Sequence, residues 1–336
     1  MNMNILVTGG VGFVGSHIVE RLIERGENVF VFDVFNNETT KASEKNDNKT
    51  YLENKFKLYK EKGGSLVMIK GDLTKYDSIY SAIKENKISR VIHVAGMVDD
   101  RRSVMFPMEY VDVNIKGVIN LLKACGECKV QHVIQTSTRS CFGQFDSPNT
   151  MLYEDSPRHP INPYGATKVA SDAFGHVYHT IYPEMKVSII RIFATYGPRG
   201  RPDMIPRICV ERIYKGEAIQ KFGTGEATRV WIYVSDIVDA YMLTLDNPPR
   251  SGFEEYNTGH HVATTLNDMI AMAEKLIGKK AIIEQKPVPK GDASYVGKSC
   301  YDKIKAELGW EPKVSLEEGL SLTLKYWLES EERVPI

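Results

Sequence analysis

The segment INPYGATKVA, residues 161–170, sets Tyr164 and Lys168 four positions apart, on one face of a helical turn. A phenol beside an ammonium has two readings. It is the first turn of an ordinary amphipathic helix, or it is a tyrosine whose proton is meant to leave. A second reactive set lies upstream in QTSTRSCFG, residues 135–143, where Thr136, Ser137 and Thr138 line up three hydroxyls. A third lies near the start in VTGGVGFVGSH, with glycines at 9, 12 and 15 and an acid, Asp33, closing the next apolar run.

Positioning such groups takes a rigid frame, and the chain offers one. NILVTG, NVFVFD, SLVMIKGD, RVIHVAG, HVIQTS and KVSIIRIF are short, β-branched and mostly continuously apolar. Strands covered on both faces read this way. Helical patterns such as SHIVERLIERGE alternate with them, which predicts an α/β fold built on a doubly wound parallel sheet. One stretch breaks the rhythm. Residues 36–64 are polar and highly charged, and read as a surface insertion with a helix over residues 50–62. The alternation loosens after residue 193, so a dinucleotide-binding domain is expected over 1–193 and a smaller, mixed α/β substrate lobe over 194–336.

Bulk properties narrow the partners. Lys plus Arg and Asp plus Glu are 43 each, so no charge footprint points to nucleic acid or an anionic membrane. No apolar run approaches the roughly 20 residues that span a bilayer. No secretory signal is evident, and the five cysteines form an odd set, so a reducing, cytoplasmic setting is the default. Cys125 and Cys128 form a lone CxxC without a second pair. They read as thiols at a helix end, with no metal role.

The glycine triplet follows a strand and opens a helix. Gly9 allows a tight turn, Gly12 lets backbone approach a pyrophosphate, and Gly15 lets helix and strand pack closely. The first N–H groups of the helix, around Phe13 and Val14, then face the phosphates. Asp33 stands where a carboxylate accepts ribose hydroxyls and repels a 2′-phosphate, which favours NAD over NADP. Asp72 in KGDLT is placed to meet the adenine, although turn chemistry explains it equally well.

The spacing T-G-x-x-G-x-x-G at Thr8–Gly15, the hydroxyl cluster and Y-x-x-x-K together resemble the extended short-chain dehydrogenase/reductase family, over nearly the whole chain. The resemblance implies a Rossmann-type fold, bound NAD, and Leu73 and Ala95 as further cofactor neighbours. It implies Tyr164 as general base, its pKa (about 10 in water) lowered by the Lys168 ammonium and the nicotinamide. Lys168 would also hold the nicotinamide ribose, and Thr138 would bond the reacting sugar oxygen. Sugar-nucleotide dehydratases of this family carry an Asp-Glu pair just after that threonine, because removing water from C5–C6 needs an extra acid and base. Arg139 and Ser140 stand at those positions here, which leaves 4-epimerisation.

RIFATYGPRGRPDMIPR, residues 191–207, resembles the R-F-F-T-V-Y-G-P-x-G-R-P-D-M segment of the UDP-glucuronate 4-epimerases. That resemblance implies sugar contacts from Arg101, Ser103, Arg191, Arg201 and Met204. It adds the hydroxyls of Thr136, Ser137 and Thr138, with Arg191, as holders of the sugar carboxylate. Arg229 would meet the diphosphate and Asp292 the uridine ribose. A homodimer is the implied assembly. Two departures stand out. Ala194 replaces a polar residue, and Asp99-Asp100 replace Gly-Val in the family's A-A-Q-A-G-V-R-x-S. The two aspartates imply a neutral sugar or a solvated loop, and the loop is the preferred reading. Three functions follow: a UDP-glucuronate 4-epimerase, a 4-epimerase of UDP-glucose or UDP-N-acetylglucosamine, or a catalytically silent NAD-binding sensor.

Overall fold

The computed structural model describes residues 3–35, 42–147, 149–288 and 295–332. The apolar runs form strands: β1 (Asn4–Thr8), β2 (Asn28–Asp33), β3 (Ser65–Lys70), β4 (Arg90–His93), β5 (His132–Thr138) and β6 (Lys186–Ile192), mostly buried except β3, whose residues are half-buried or exposed. A seventh, β7 (Phe253–Thr258), was not foreseen, because four of the six residues in FEEYNT are polar and it lacks a continuous apolar run. Together they make one sheet in the order β7-β6-β5-β4-β1-β2-β3. The pairs β1/β2, β2/β3, β1/β4 and β4/β5 run parallel. Ile5, Leu6 and Val7 of β1 are fully buried. Each such side chain contributes about 1.5–3 kcal/mol. Strand order reverses between β2 and β4 around β1, and sheets of this kind open a ligand crevice at the carboxyl ends of the strands there.

Helices α1 (Phe13–Glu24), α2 (Ala42–Leu58), α3 (Tyr76–Glu85), α4 (Asp100–Met105), α5 (Pro107–Val111), α6 (Gly117–Glu127) and α7 (Pro163–Ile181) complete this part. Between α5 and α6 the chain widens into one π turn, Asp112–Lys116. The turn into α1 requires its glycines. Gly9 has φ +69°, and a Cβ on Gly15 would stand 2.1 Å from the Gly9 carbonyl oxygen. The five cysteines are free thiols. Cys125 and Cys128 sit at the end of α6, and burial pushes both thiols up.

The polar stretch after β2 differs from its expected form. Its helix runs 42–58 rather than 50–62, and it is not wholly a surface feature. Lys45, Asn48 and Leu52 lie on one face and are buried. Asn48 Nδ2 donates to the Val11 carbonyl at 2.9 Å, and Tyr51 donates to Glu20 on α1. Hydropathy missed this face because only one of its three residues is apolar. Residues 36–41 lie outside the described residues.

The chain clusters into two compact units. The first comprises Met1–Cys141, Asn162–Arg191 and Val238–Tyr256, and the second Phe142–Ile161, Ile192–Ile237 and Asn257–Ile336. Within the second, short strands pair as 194–196 with 231–233, 218–222 with 282–286, 228–229 with 264–265, and 151–152 with 298–299. Its core gathers Cys209, Val210, Ile213, Ile219, Met269, Ile270, Ala273 and Leu320. Asp236 is a structural acceptor there. Its carboxylate takes the N–H groups of Lys313 and Val314, and its carbonyl takes the Trp310 indole at 2.7 Å.

Candidate active site

Helix α7 starts where its sequence says it should. Asn162 caps it by accepting the Gly165 N–H at 2.8 Å, with Pro163 in the first turn. Such a cap is worth about 1 kcal/mol. The buried face of α7 is small and polar: Gly165, Thr167, Lys168, Ser171, Asp172 and Gly175. That face lets Lys168 lie 6% exposed, with Nζ donating to the Thr136 carbonyl on β5. Tyr164, one turn earlier, is hydrogen-bonded to the Thr138 hydroxyl at the end of β5. The structure therefore brings together Thr138, Tyr164 and Lys168.

The electrostatics differ from the expected lowering of the phenol. Burial pushes the Tyr164 pKa up, the Thr138 hydrogen bond pulls it down, and the Asp100 charge pushes it up again. Burial also lowers Lys168, against the pull of Asp172. A positive nicotinamide bound beside the phenol would pull its pKa down. His93, behind this set, shares a 2.7 Å hydrogen bond with Thr8 Oγ1. Burial, then the Lys168 charge, holds its pKa down at about 3. A neutral imidazole adds no second positive charge behind Lys168.

Several expected sugar contacts are spent elsewhere. Arg191 is 0% exposed and ion-paired to Asp172 at 3.1 Å and Glu255 at 3.3 Å, so it presents no face to a substrate. Ser137 donates to the same Asp172 at 2.8 Å, and the Thr136 hydroxyl meets Tyr241 at 2.6 Å. Alternation along β5 turns Ser137 away from the face that Thr136 and Thr138 share, and of those two it is Thr138 that meets Tyr164. Ser103 is buried and donates to the Asp100 carbonyl at 2.6 Å. Arg101 has an exposed side chain.

The aspartates at 99 and 100 are not a solvated loop. Asp99 has φ +101°, where the resembling family has glycine, and its carboxylate caps α4 by accepting the N–H groups of Arg101 and Arg102. Asp100 accepts from the Ser140 hydroxyl at 3.2 Å and lies 3.7 Å from the Arg139 guanidinium. Asn114, in the π turn, clamps Met97 by accepting its N–H at 2.8 Å and donating to its carbonyl at 2.9 Å. Tyr110 donates to the Val98 and Asp99 carbonyls and packs edge-on against Tyr164. Sequence reasoning passed over Asn114, Tyr110 and Asp172. A polar residue on the inner face of an apolar helix was the available signal.

The dinucleotide residues fit the cofactor that they imply. Helix α1 begins at Phe13 with Gly12 as an N-cap that has no side-chain cap, and no acid stands in the first turn. Its backbone donors suit a diphosphate. Val14 is buried in that turn, and the Ala95 N–H donates to Thr8 Oγ1 at 3.3 Å, beside Gly9. Asp33 receives Lys45 Nζ at 2.7 Å and the Phe35 N–H at 3.1 Å through Oδ1, while Oδ2 is buried with no partner. An orphaned buried acceptor of this kind suits a ribose hydroxyl. Asp72 Oδ1 accepts the Thr74 N–H and hydroxyl, each at 2.8 Å, which is turn chemistry. Leu73 packs into the core with Ile79, Val118 and Leu121. Replacing Asp33 by alanine removes the acceptor and leaves the Lys45 ammonium unpaired. NAD should bind about 10-fold or more weaker and NADP tighter, since a hydrogen bond to a charged group is worth about 1.5–3 kcal/mol. Titrating cofactor-free protein with both dinucleotides checks this, and an unchanged preference removes Asp33 from the site.

In the second unit, Arg201 is ion-paired to Asp203, Met204 precedes the helix 205–215, and Arg229 donates to its neighbour's carbonyl at 2.7 Å. Asp292 lies outside the described residues.

The model of the GDP-mannose 4,6-dehydratase family matches residues 6–323. The chain belongs to this family of extended short-chain dehydrogenases/reductases. It is 34% identical over 334 residues to a UDP-glucuronate 4-epimerase of Thermodesulfobacterium geofontis, covering 98% of this chain and 97% of the other. The structure of UDP-glucuronic acid 4-epimerase from Bacillus cereus, in complex with UDP-glucuronic acid and NAD, matches with a TM-score of 0.87. That match has 29% identity and covers 98% and 100% of the two chains. UDP-glucose 4-epimerase from Thermotoga maritima, with UDP-glucose, matches at 0.86, with 30% identity over 98% and 100%. Within the family the chain stands among the NAD-dependent UDP-sugar 4-epimerases, which are isomerases. No helix among the described residues is long and apolar enough to cross a membrane.

Proposed function

We propose that the protein interconverts UDP-glucuronate and UDP-galacturonate by epimerisation at C4. The observation that carries this reading is the hydrogen-bonded Thr138–Tyr164 pair backed by the buried Lys168. Such a pair can take a proton from a sugar hydroxyl and give it back. Thr138 holds the C4 oxygen and Tyr164 moves its proton. Lys168 stabilises the phenolate and holds the nicotinamide ribose. NAD, bound by the glycine turn and Asp33, supplies the reversible oxidation at C4. Arg201, Met204, Arg229 and Asp292 bind the sugar nucleotide through the second unit, and the working assembly is a homodimer.

The sugar is assigned from the Gly200–Met204 run, GRPDM, and from the relative at 34% identity. A second reading, a neutral UDP-hexose, is favoured by one observation: the Asp100 carboxylate close enough to Tyr164 to raise its pKa. Incubating the enzyme separately with UDP-glucuronate, UDP-glucose and UDP-N-acetylglucosamine, with products identified by NMR, decides between them. The proposal expects UDP-galacturonate as the fastest-formed product. Faster turnover of a neutral sugar would replace it with the second reading.

A further inference from the structure

A reaction confined to C4 has no work for Asp100, yet the structure aims this side chain with care. Dehydratases of the family put an extra acid and base at the positions of Arg139 and Ser140, to act at C5–C6 of a 4-keto sugar. Here residue 140 is a serine, and its hydroxyl donates to Asp100 Oδ1 at 3.2 Å. The carboxylate at the tip of residue 140 is thus supplied from α4 instead of from the turn Arg139–Cys141. The Ser140 N–H in turn donates to Thr138 Oγ1 at 3.3 Å, which places this carboxylate one residue from the hydroxyl assigned to the C4 oxygen. The Arg139 guanidinium lies 3.7 Å from Asp100 Oδ2. The backbone behind Asp100 is fixed by the Asn114 clamp, by the two Tyr110 hydrogen bonds and by the Ser103 hydroxyl. Its side chain is 26% exposed, so a proton on it can exchange with water.

We propose that Asp100 is a general base for C5 of the 4-keto sugar, giving the enzyme a C5 proton-exchange activity beside its C4 reaction. The inference rests on the C4 oxidation proposed above, because only the ketone makes the C5 hydrogen acidic. The step balances without another reagent. Asp100 takes the C5 proton, the C–H electron pair forms a C4–C5 double bond, and the carbonyl π pair moves onto O4. Thr138 and the protonated Tyr164 hydrogen-bond that enolate oxygen. Return of a proton, or of a deuteron that Asp100 has taken from solvent, to the same face of C5 restores the ketone, and reduction at C4 then ends the cycle. Asp100 and Arg139–Ser140 thereby divide the work differently from a dehydratase. No carboxylic acid stands at position 139 to protonate a leaving group on C6, so exchange rather than loss of water is the outcome.

The test runs the NAD-loaded enzyme in D₂O with UDP-glucuronate and, in parallel, UDP-glucose, and reads deuterium by NMR and mass spectrometry. The expected result is deuterium at C5 in recovered sugar nucleotide. The ratio of C5 exchange to C4 epimerisation should fall at least about tenfold in Asp100→Asn, since a general base typically contributes about 10²–10⁴-fold. Adding Ser140→Glu to Asp100→Asn, which returns a carboxylate to residue 140, should restore the ratio. No deuterium at C5 in either sugar overturns the proposal, and so does an unchanged ratio in Asp100→Asn. Because C4 epimerisation is read in the same spectra, C4 product without C5 label sinks only the Asp100 role. Absence of any C4 product sinks the epimerase reading as well.

Discussion

Replacing Tyr164 by phenylalanine should lower turnover by about 10²–10⁴-fold while leaving the fold and NAD affinity close to wild type. The substitution removes one hydroxyl and keeps the ring that packs edge-on against Tyr110 at 6.2 Å between centroids. It also leaves Lys168 in place, since that ammonium donates to the Thr136 carbonyl rather than depending on the phenol. What is lost is the acid–base partner of the sugar hydroxyl. The glycine turn and Asp33 stand on other elements, so titration with NAD should give a nearly unchanged dissociation constant. Turnover above about a tenth of wild type would mean that another group moves the proton. Among the nearby carboxylates, Asp100 already acts on Tyr164 through its charge.

Arg191→Met should destabilise the protein by about 3–5 kcal/mol, the usual cost of stripping one partner from a buried ion pair. The guanidinium is 0% exposed and faces two acids, Asp172 at 3.1 Å and Glu255 at 3.3 Å. Without it, two acids share a buried site and Ser137 loses a fixed partner one residue before Thr138. Urea unfolding measures the loss. The sequence had suggested instead that Arg191 holds the sugar carboxylate. On that view the variant would unfold normally and release a decarboxylated 4-keto sugar with reduced nicotinamide. Wild-type stability together with that product would contradict the structural role.

The difference between those two views shows where sequence reading stopped. Strands were legible wherever the run is continuously apolar, as in β1 and β2, because a strand covered on both faces buries both sets of its side chains. β7 was not legible, since Glu255 and Asn257 of FEEYNT find partners distant in the chain, Arg191 and the Leu152 carbonyl. The Tyr164–Lys168 pair was legible because helical spacing is local. Asp172 pairs with Arg191, 19 residues on, and Asp100 with Ser140, 40 residues on. Such contacts exist only once the sheet has set its order. The same reason hid Lys45, 12 residues after Asp33, in a stretch whose composition reads as solvent-facing.

The measurement that tests the central claim most directly is the fate of a deuterium placed at C4 of UDP-glucuronate. In an epimerase built on Thr138, Tyr164 and Lys168 with a tightly held cofactor, the label leaves C4 and returns to it on the opposite face without meeting water. NMR of the purified product should therefore show UDP-galacturonate with deuterium retained at C4 when the reaction runs in ordinary water. UDP-galacturonate that has lost its label, or no change at C4 in any UDP-sugar offered, would contradict the account.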